Sequence, residues 1–109
     1  MNASKAFNLG VGYLDNQELE MALLAFGEAI RLDPAMAEAY NGRGVVHALR
    51  GELDKALADC CEALRLNPWS PEFYRTRGYV YNRLGQEENG RADLAKAEEY
   101  EAAAEGQVP

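Results

Sequence analysis

A unit of about 34 residues recurs along this chain, and that spacing restricts its fold more than any other feature. The cleanest copy is the stretch from Ala37 to Ser70, AEAYNGRGVVHALRGELDKALADCCEALRLNPWS. One period earlier, Gly44 falls on Gly10, His47 on Tyr13, Ala56 on Ala22, Cys60 on Phe26, Ala63 on Ala29 and Pro68 on Pro34. One period later, Tyr40 meets Tyr74, Gly44 meets Gly78, His47 meets Tyr81, Gly51 meets Gly85, Cys60 meets Leu94 and Ala63 meets Ala97. Three units therefore tile a single domain, at residues 3–36, 37–70 and 71–104, with a short tail at 105–109. For a stacked array this is about the minimum, since roughly three units are needed before neighbours bury a continuous core.

Each unit reads as two helices. In the middle copy Tyr40, Gly44 and His47 share one face of a first helix, and Leu53, Ala56, Leu57, Cys60 and Leu64 share one face of a second. Gly51 stands between the two runs, and Gly44 and Ala56 are small where two antiparallel backbones would meet. Asn67-Pro68 ends the second run, because the residue before a proline is pushed out of the helical region. The same logic predicts a first helix from Ala3, capped by Asn2 or Ser4, to about Asp15, and a partner from about Gln17 to Leu32. Ser70-Pro71-Glu72 predicts a sharp start for the fifth helix, which runs to about Arg83. The sixth begins near Gln86, continues through Ala104 and frays over Gly106 to Pro109.

Leu9, Gly10, Tyr13, Ala22, Phe26, Ala29 and Pro34, followed by Tyr40, Gly44, Ala56, Ala63 and Pro68, stand in an order and spacing that resembles the tetratricopeptide repeat. The resemblance covers nearly the whole chain. It implies an all-α, right-handed superhelical solenoid of three antiparallel helix pairs, and a non-enzymatic adaptor that docks a peptide or partner segment in a groove lined by the first helix of each pair. On that alignment the candidate groove residues are Phe7, Asn8, Val11, Asn41, Val45, Arg75, Tyr79, Asn82 and Arg83, with Glu38 and Glu72 at further groove places. Phe7, Val11, Val45 and Tyr79 make a broken apolar strip. Asn41, Arg75, Asn82 and Arg83 gather donors towards the third unit, so a ligand carboxylate is expected near Arg75 and Arg83.

The carboxylate clamp of chaperone-binding relatives has no counterpart, because its places hold Phe7, Val11, Gly42, Glu72 and Thr76. Acidic tails of heat-shock chaperones are therefore not the expected ligand. The alternative is a self-associating structural protein whose stack ends or grooves pair between copies, although a monomer is the first expectation.

Charge and chemistry narrow the function further. A net charge of −7 argues against nucleic acid, which would call for a basic stripe on one face. No apolar run reaches the roughly 18 residues of a membrane span, and the N-terminus lacks the order of a signal peptide, so a cytoplasmic protein is expected. His47, the only histidine, holds a core place shared with Tyr13 and Tyr81, which predicts packing rather than catalysis. Cys60 and Cys61 are adjacent on one helix, a geometry that disfavours a disulfide, and no ligand-spaced cluster points to a metal or other cofactor. Cys60 reads as core, Cys61 as surface. The Asp and Glu residues are expected mainly on outer helix faces, and Arg43 and Arg77 are expected to pack their stems where the first unit has Leu9. In the sixth helix, Glu87, Arg91 and Glu98 replace the stacking residues Leu53, Leu57 and Leu64, which predicts an extended, capping final helix with no fourth unit behind it.

Overall fold

A computed structural model of the chain describes residues 1–106, which form α1 (Ala3–Asp15), α2 (Leu19–Leu32), α3 (Ala37–Leu49), α4 (Leu53–Leu66), α5 (Pro71–Arg83) and α6 (Glu87–Ala104). Residues 107–109, part of the tail expected to fray, lie outside the described residues. The six helices make three antiparallel pairs, α1–α2, α3–α4 and α5–α6. Among the described residues each pair touches only its neighbours in the row, through α2–α3, α4–α5, α1–α3 and α3–α5. This is the nearest-neighbour stacking of a solenoid.

Local chemistry sets the helix ends. Asn2 caps α1 by accepting from the Lys5 backbone N–H at 2.9 Å, and Ser70 caps α5 by accepting from that of Phe73 at 3.3 Å. Within each pair the first helix closes in a recurring two-bond turn. Glu18 N–H donates to Tyr13 O and Gln17 N–H to Leu14 O, and the same pattern joins Glu52 to His47 and Gly51 to Ala48, then Gln86 to Tyr81 and Gly85 to Asn82. The turn needs one residue with positive φ, supplied by Gly51 and Gly85 at +80° but by Gln17 at +61° in the first pair. The sequence reading placed Gln17 at the start of α2; it is instead the left-handed residue before that helix, which begins at Leu19. Between pairs, Asp33 and Asn67 leave the helix just before a proline, and their side chains accept from the backbone N–H groups of Ala35 and Trp69.

The core is shared between units. Phe26 packs with Ala22 and with Val46 of the next pair, and Cys60 packs with Ala56 and with Val80 of the pair after that. Phe26 is fully buried between two glycines: a Cβ added at either Gly10 or Gly42 would lie 2.7 Å from its ring. One period on, the smaller Cys60 sits against Gly44, where a Cβ would stand 3.2 Å from its sulfur, and Thr76 takes the place of Gly42. In α6 the residues at the leucine places, Glu87, Arg91 and Glu98, are exposed, and Leu94 at the Phe26 place is 38% exposed. The helix has 18 residues against 14 in α2 and α4, the added turn being residues 101–104, and Tyr100, at the place of Leu32 and Leu66, packs against the rings of Tyr74 and Trp69.

Two acids depart from the sequence reading. Asp59 and Asp93 are buried rather than on outer faces, and each receives a two-pronged arginine. Arg43 donates to Asp59 through Nε and Nη2, both at 2.9 Å, and Arg77 donates to Asp93 at 2.8 and 2.9 Å. These hydrogen bonds hold both guanidinium pKa values above their ordinary value. Arg43 also lies 5.8 Å from the ring centre of Tyr40, and Arg77 within 5.7 Å of Tyr74 and Tyr81. Stem packing was thus only part of the role of these arginines: they tie the first helix of a pair to the second.

Candidate functional site

The packing of α1 on α3 and of α3 on α5 leaves a cleft of about 260 Å³ along the three first helices. Phe7, Val11 and Leu14 of α1 form one wall, Val45 of α3 and Phe73 of α5 form the other, and Phe26 of α2 reaches the floor beside Gly42. The missing side chain at Gly42 is what lets Phe26 reach this depth. Glu38 and Glu72, each in the first turn of its helix, add carboxylates, and Asn41 completes the lining. A second depression of about 240 Å³ continues along α3 and α5, between Val45, Ala48, Leu49, Arg75, Thr76 and Tyr79. Val45 lies in both.

The residues named from sequence are thus only partly brought together. Phe7, Val11, Asn41 and Val45 share the first cleft, and Val45, Arg75 and Tyr79 share the second. Asn8 lies apart, with Met1, Lys5 and Leu9 in a shallow surface depression. Asn82 turns towards the other helix of its own pair, and its Oδ1 occupies the space where a Cβ at Gly90 would be, 2.0 Å away. Gly90 is therefore small because Asn82 packs across it.

Asn41, read as a groove donor, is only 5% exposed. Its Nδ2 points at Glu72 Oε1 across 3.5 Å, and its Oδ1 is buried without a hydrogen-bond partner among the described residues. Each charged donor already holds one contact: Arg75 is ion-paired through Nη1 with Glu101 of the α6 extension, and Arg83 donates through Nη1 to the Tyr79 hydroxyl at 2.8 Å while its guanidinium lies 5.7 Å from that ring's centre. Glu38 and Glu72, given groove places from sequence, both line the first cleft, and among the described residues no basic side chain lines it with them, whereas Arg75 lies along the second depression.

Away from the cleft, His47 sits in the α3–α4 interface with Nδ1 2.9 Å from Glu52 Oε1. That bond holds the Glu52 carboxyl below its ordinary value. Cys60 is fully buried, and desolvation pushes its thiol up to about 12, so it is protonated at neutral pH. Cys61 is exposed. No helix among the described residues is long and apolar enough to cross a membrane.

Comparison with known proteins agrees with this architecture. A family model for the tetratricopeptide repeat matches residues 7–71. None of the curated proteins compared with the chain matches it in sequence. Among solved structures, a crystal structure of MamA superposes with a TM-score of 0.87 at 27% identity, over 96% of this chain and 61% of that one. The chain thus spans about three-fifths of the length of MamA. The TPR2B domain of yeast Sti1, solved in a complex with pHsp70, gives 0.91 at 22% identity over 95% of this chain and 83% of that one. The first TPR domain of Spaghetti (RPAP3), solved with the HSP90 peptide SRMEEVD, gives 0.89 at 20% identity over 97% and 87%. With the family model spanning more than half of its length, and six helices stacked as three pairs, the chain belongs to the tetratricopeptide repeat family.

Proposed function

We propose that this chain is a docking module that holds a segment of a partner protein in the cleft along α1, α3 and α5. The observation that carries this reading is the cleft itself: an apolar floor and walls, left open between three helices that otherwise pack closely. Phe7, Val11 and Val45 offer side-chain anchorage, and the second depression extends the track past Tyr79. Two neighbours of the same fold were solved with a chaperone or chaperone-derived partner, which supports segment binding as the mode of action. It does not carry over their ligand, because the clamp places hold Phe7, Val11, Gly42, Glu72 and Thr76, and the carboxylates of Glu38 and Glu72 would repel an acidic tail.

The test is affinity capture from lysate with the wild-type chain beside Val45→Asp, both first shown to be folded by circular dichroism. Val45 lies in both depressions, so a charge there fouls the whole track. A protein retained by the first and lost from the second supports docking. Equal retention by both would overturn the assignment of the cleft, and recovery of the chain alone, with a mass in multiples of the monomer, would favour self-association instead.

A further inference from the structure

We propose that copies of this chain associate head to tail, the outer face of α1 in one copy seating on the open end of the α5–α6 pair in another. Lys5, Asn8, Gly12 and Asn16 lie at i, i+3, i+7 and i+11, one face of α1, and all four are exposed. One and two periods on, the same face presses into the preceding pair. Ala39 and Phe73, at the place of Lys5, are buried with Ala29 and Ala63, and Val46 and Val80, at the place of Gly12, are buried with Phe26 and Cys60. In α1 that joint surface is open to solvent.

At the other end of the row the receiving surface is open as well. Glu87, Arg91, Leu94 and Glu98 of α6 are exposed at the places where Leu19, Leu23, Phe26 and Ile30 receive α3. Their charge excludes an apolar unit of the interior kind, but it complements α1. Carrying the interior register across a joint between two copies sets Lys5 beside Glu98, because Ala39 packs with Ile30 and Phe73 with Leu64. It sets Asn16 beside Glu88, at the places where Arg50 is ion-paired with Glu20 of the preceding pair. It also sets Leu9, 44% exposed, against Ala95, where Arg77 reaches Cys61. Volume agrees with charge: Gly12 leaves out the valine that fills each interior joint, which makes room for Arg91, longer than the Leu23 and Leu57 it replaces.

Charge also decides the orientation. Two α1 faces brought together would set Lys5 against Lys5, and two α6 ends would set Glu87, Glu88 and Glu98 against their own copies, whereas head to tail brings the lysine of one chain to the acids of the other. Such a contact is heterologous, so growth does not stop at two chains. Phe7, Val11 and Val45 lie on the cleft side of their helices and stay open in such a row, so the inference stands apart from the docking reading.

The test is sedimentation equilibrium of the full chain from about 10 μM to about 1 mM, the range of weak contacts, beside Lys5→Glu, Glu98→Lys and the double variant Lys5→Glu/Glu98→Lys. Both residues are exposed, so the fold is kept, and circular dichroism checks it. At the top of the range the wild-type mass should pass twice the 12.0 kDa of the chain. Each single reversal sets like charges face to face and should weaken association at least about tenfold, whereas the double reversal restores opposite charges and should recover it to within about threefold of wild type. A wild-type mass of one chain throughout, a plateau at two chains, single variants that associate like wild type, or a double variant no better than the singles would each overturn the joint. Association lost in Val45→Asp but kept in Lys5→Glu would assign the contact to the cleft instead.

Discussion

In the second and third helix pairs an arginine of the first helix reaches across to a buried aspartate of the second, Arg43 to Asp59 and Arg77 to Asp93. One period earlier the same two places hold Leu9 and Ala25. The first pair packs without the ionic tie, and Leu9 is left 44% exposed in exchange. A buried ion pair and an apolar substitute are thus two solutions of one packing problem, as expected when the Coulombic gain of a pair roughly offsets its desolvation. The pairs differ in volume in the same way: Phe26 fills the space between two glycines, whereas Cys60 faces Gly44 and the register supplies Thr76 in place of Gly42.

The volume difference should give the largest effect. Phe26→Ala empties the space between Gly10 and Gly42 and should cost about 3–5 kcal/mol, against about 1 kcal/mol for Cys60→Ala, both read from urea unfolding. Equal costs would mean that the two places do not carry the different loads assigned to them.

The ionic tie comes next. Asp59→Ala strands the Arg43 guanidinium, which is 31% exposed, and should cost about 2–3 kcal/mol, below the fully buried range because water still reaches the arginine. Arg43→Leu/Asp59→Ala converts the second pair to the chemistry of the first and should restore stability to within about 1 kcal/mol of wild type. A double variant as unstable as the single would show that the tie is indispensable and that the first pair is no precedent.

A smaller gain should follow from making the first pair resemble the others at its turn. Gln17 holds the left-handed conformation that Gly51 and Gly85 adopt freely. Gln17→Gly should therefore stabilise by about 0.5–1 kcal/mol, the relief of backbone crowding less the added freedom of the unfolded glycine. Thermal unfolding checks the sign.

The smallest effect is a pH dependence peculiar to the middle unit, where His47 and Glu52 stand in the places of Tyr13 and Glu18. Because the folded Glu52 pKa is depressed, its contribution is present above the ordinary carboxylate value of 4.5 and is lost as pH falls through the lower folded value. Glu52→Gln should flatten the stability profile below about pH 4.5 and leave the sign of every other trend unchanged. An unchanged profile would show that the bond to His47 carries no stability.

Much of this architecture was legible in the linear sequence. The period placed the helices and the boundaries between pairs, because small residues, prolines and glycines act on the backbone within a few residues of themselves. The cap at Ser70, the proline ends after Asp33 and Asn67, and the core places of Phe26 and Cys60 all follow from such local rules. Asp59 and Asp93 are exceptions to the mainly outer placement expected of the acids, an expectation that rests on an acid on a helix being by default a solvated one. The recurrence of an arginine 16 residues before each was the signal that could have found them.

Alignment assigned Phe7, Asn41 and Arg75 to one equivalent place, and the stack gave them three different fates. Phe7 is half-buried against Phe26, Asn41 is buried with an oxygen that has no partner among the described residues, and Arg75 is exposed and paired with Glu101. The sequence by itself determined that there would be three helix pairs and which face of each would be small and apolar. Only the tertiary structure decided which polar groups are dry, which arginines are paired and where the cleft lies open, since these depend on what the neighbouring unit brings alongside, tens of residues away in the chain.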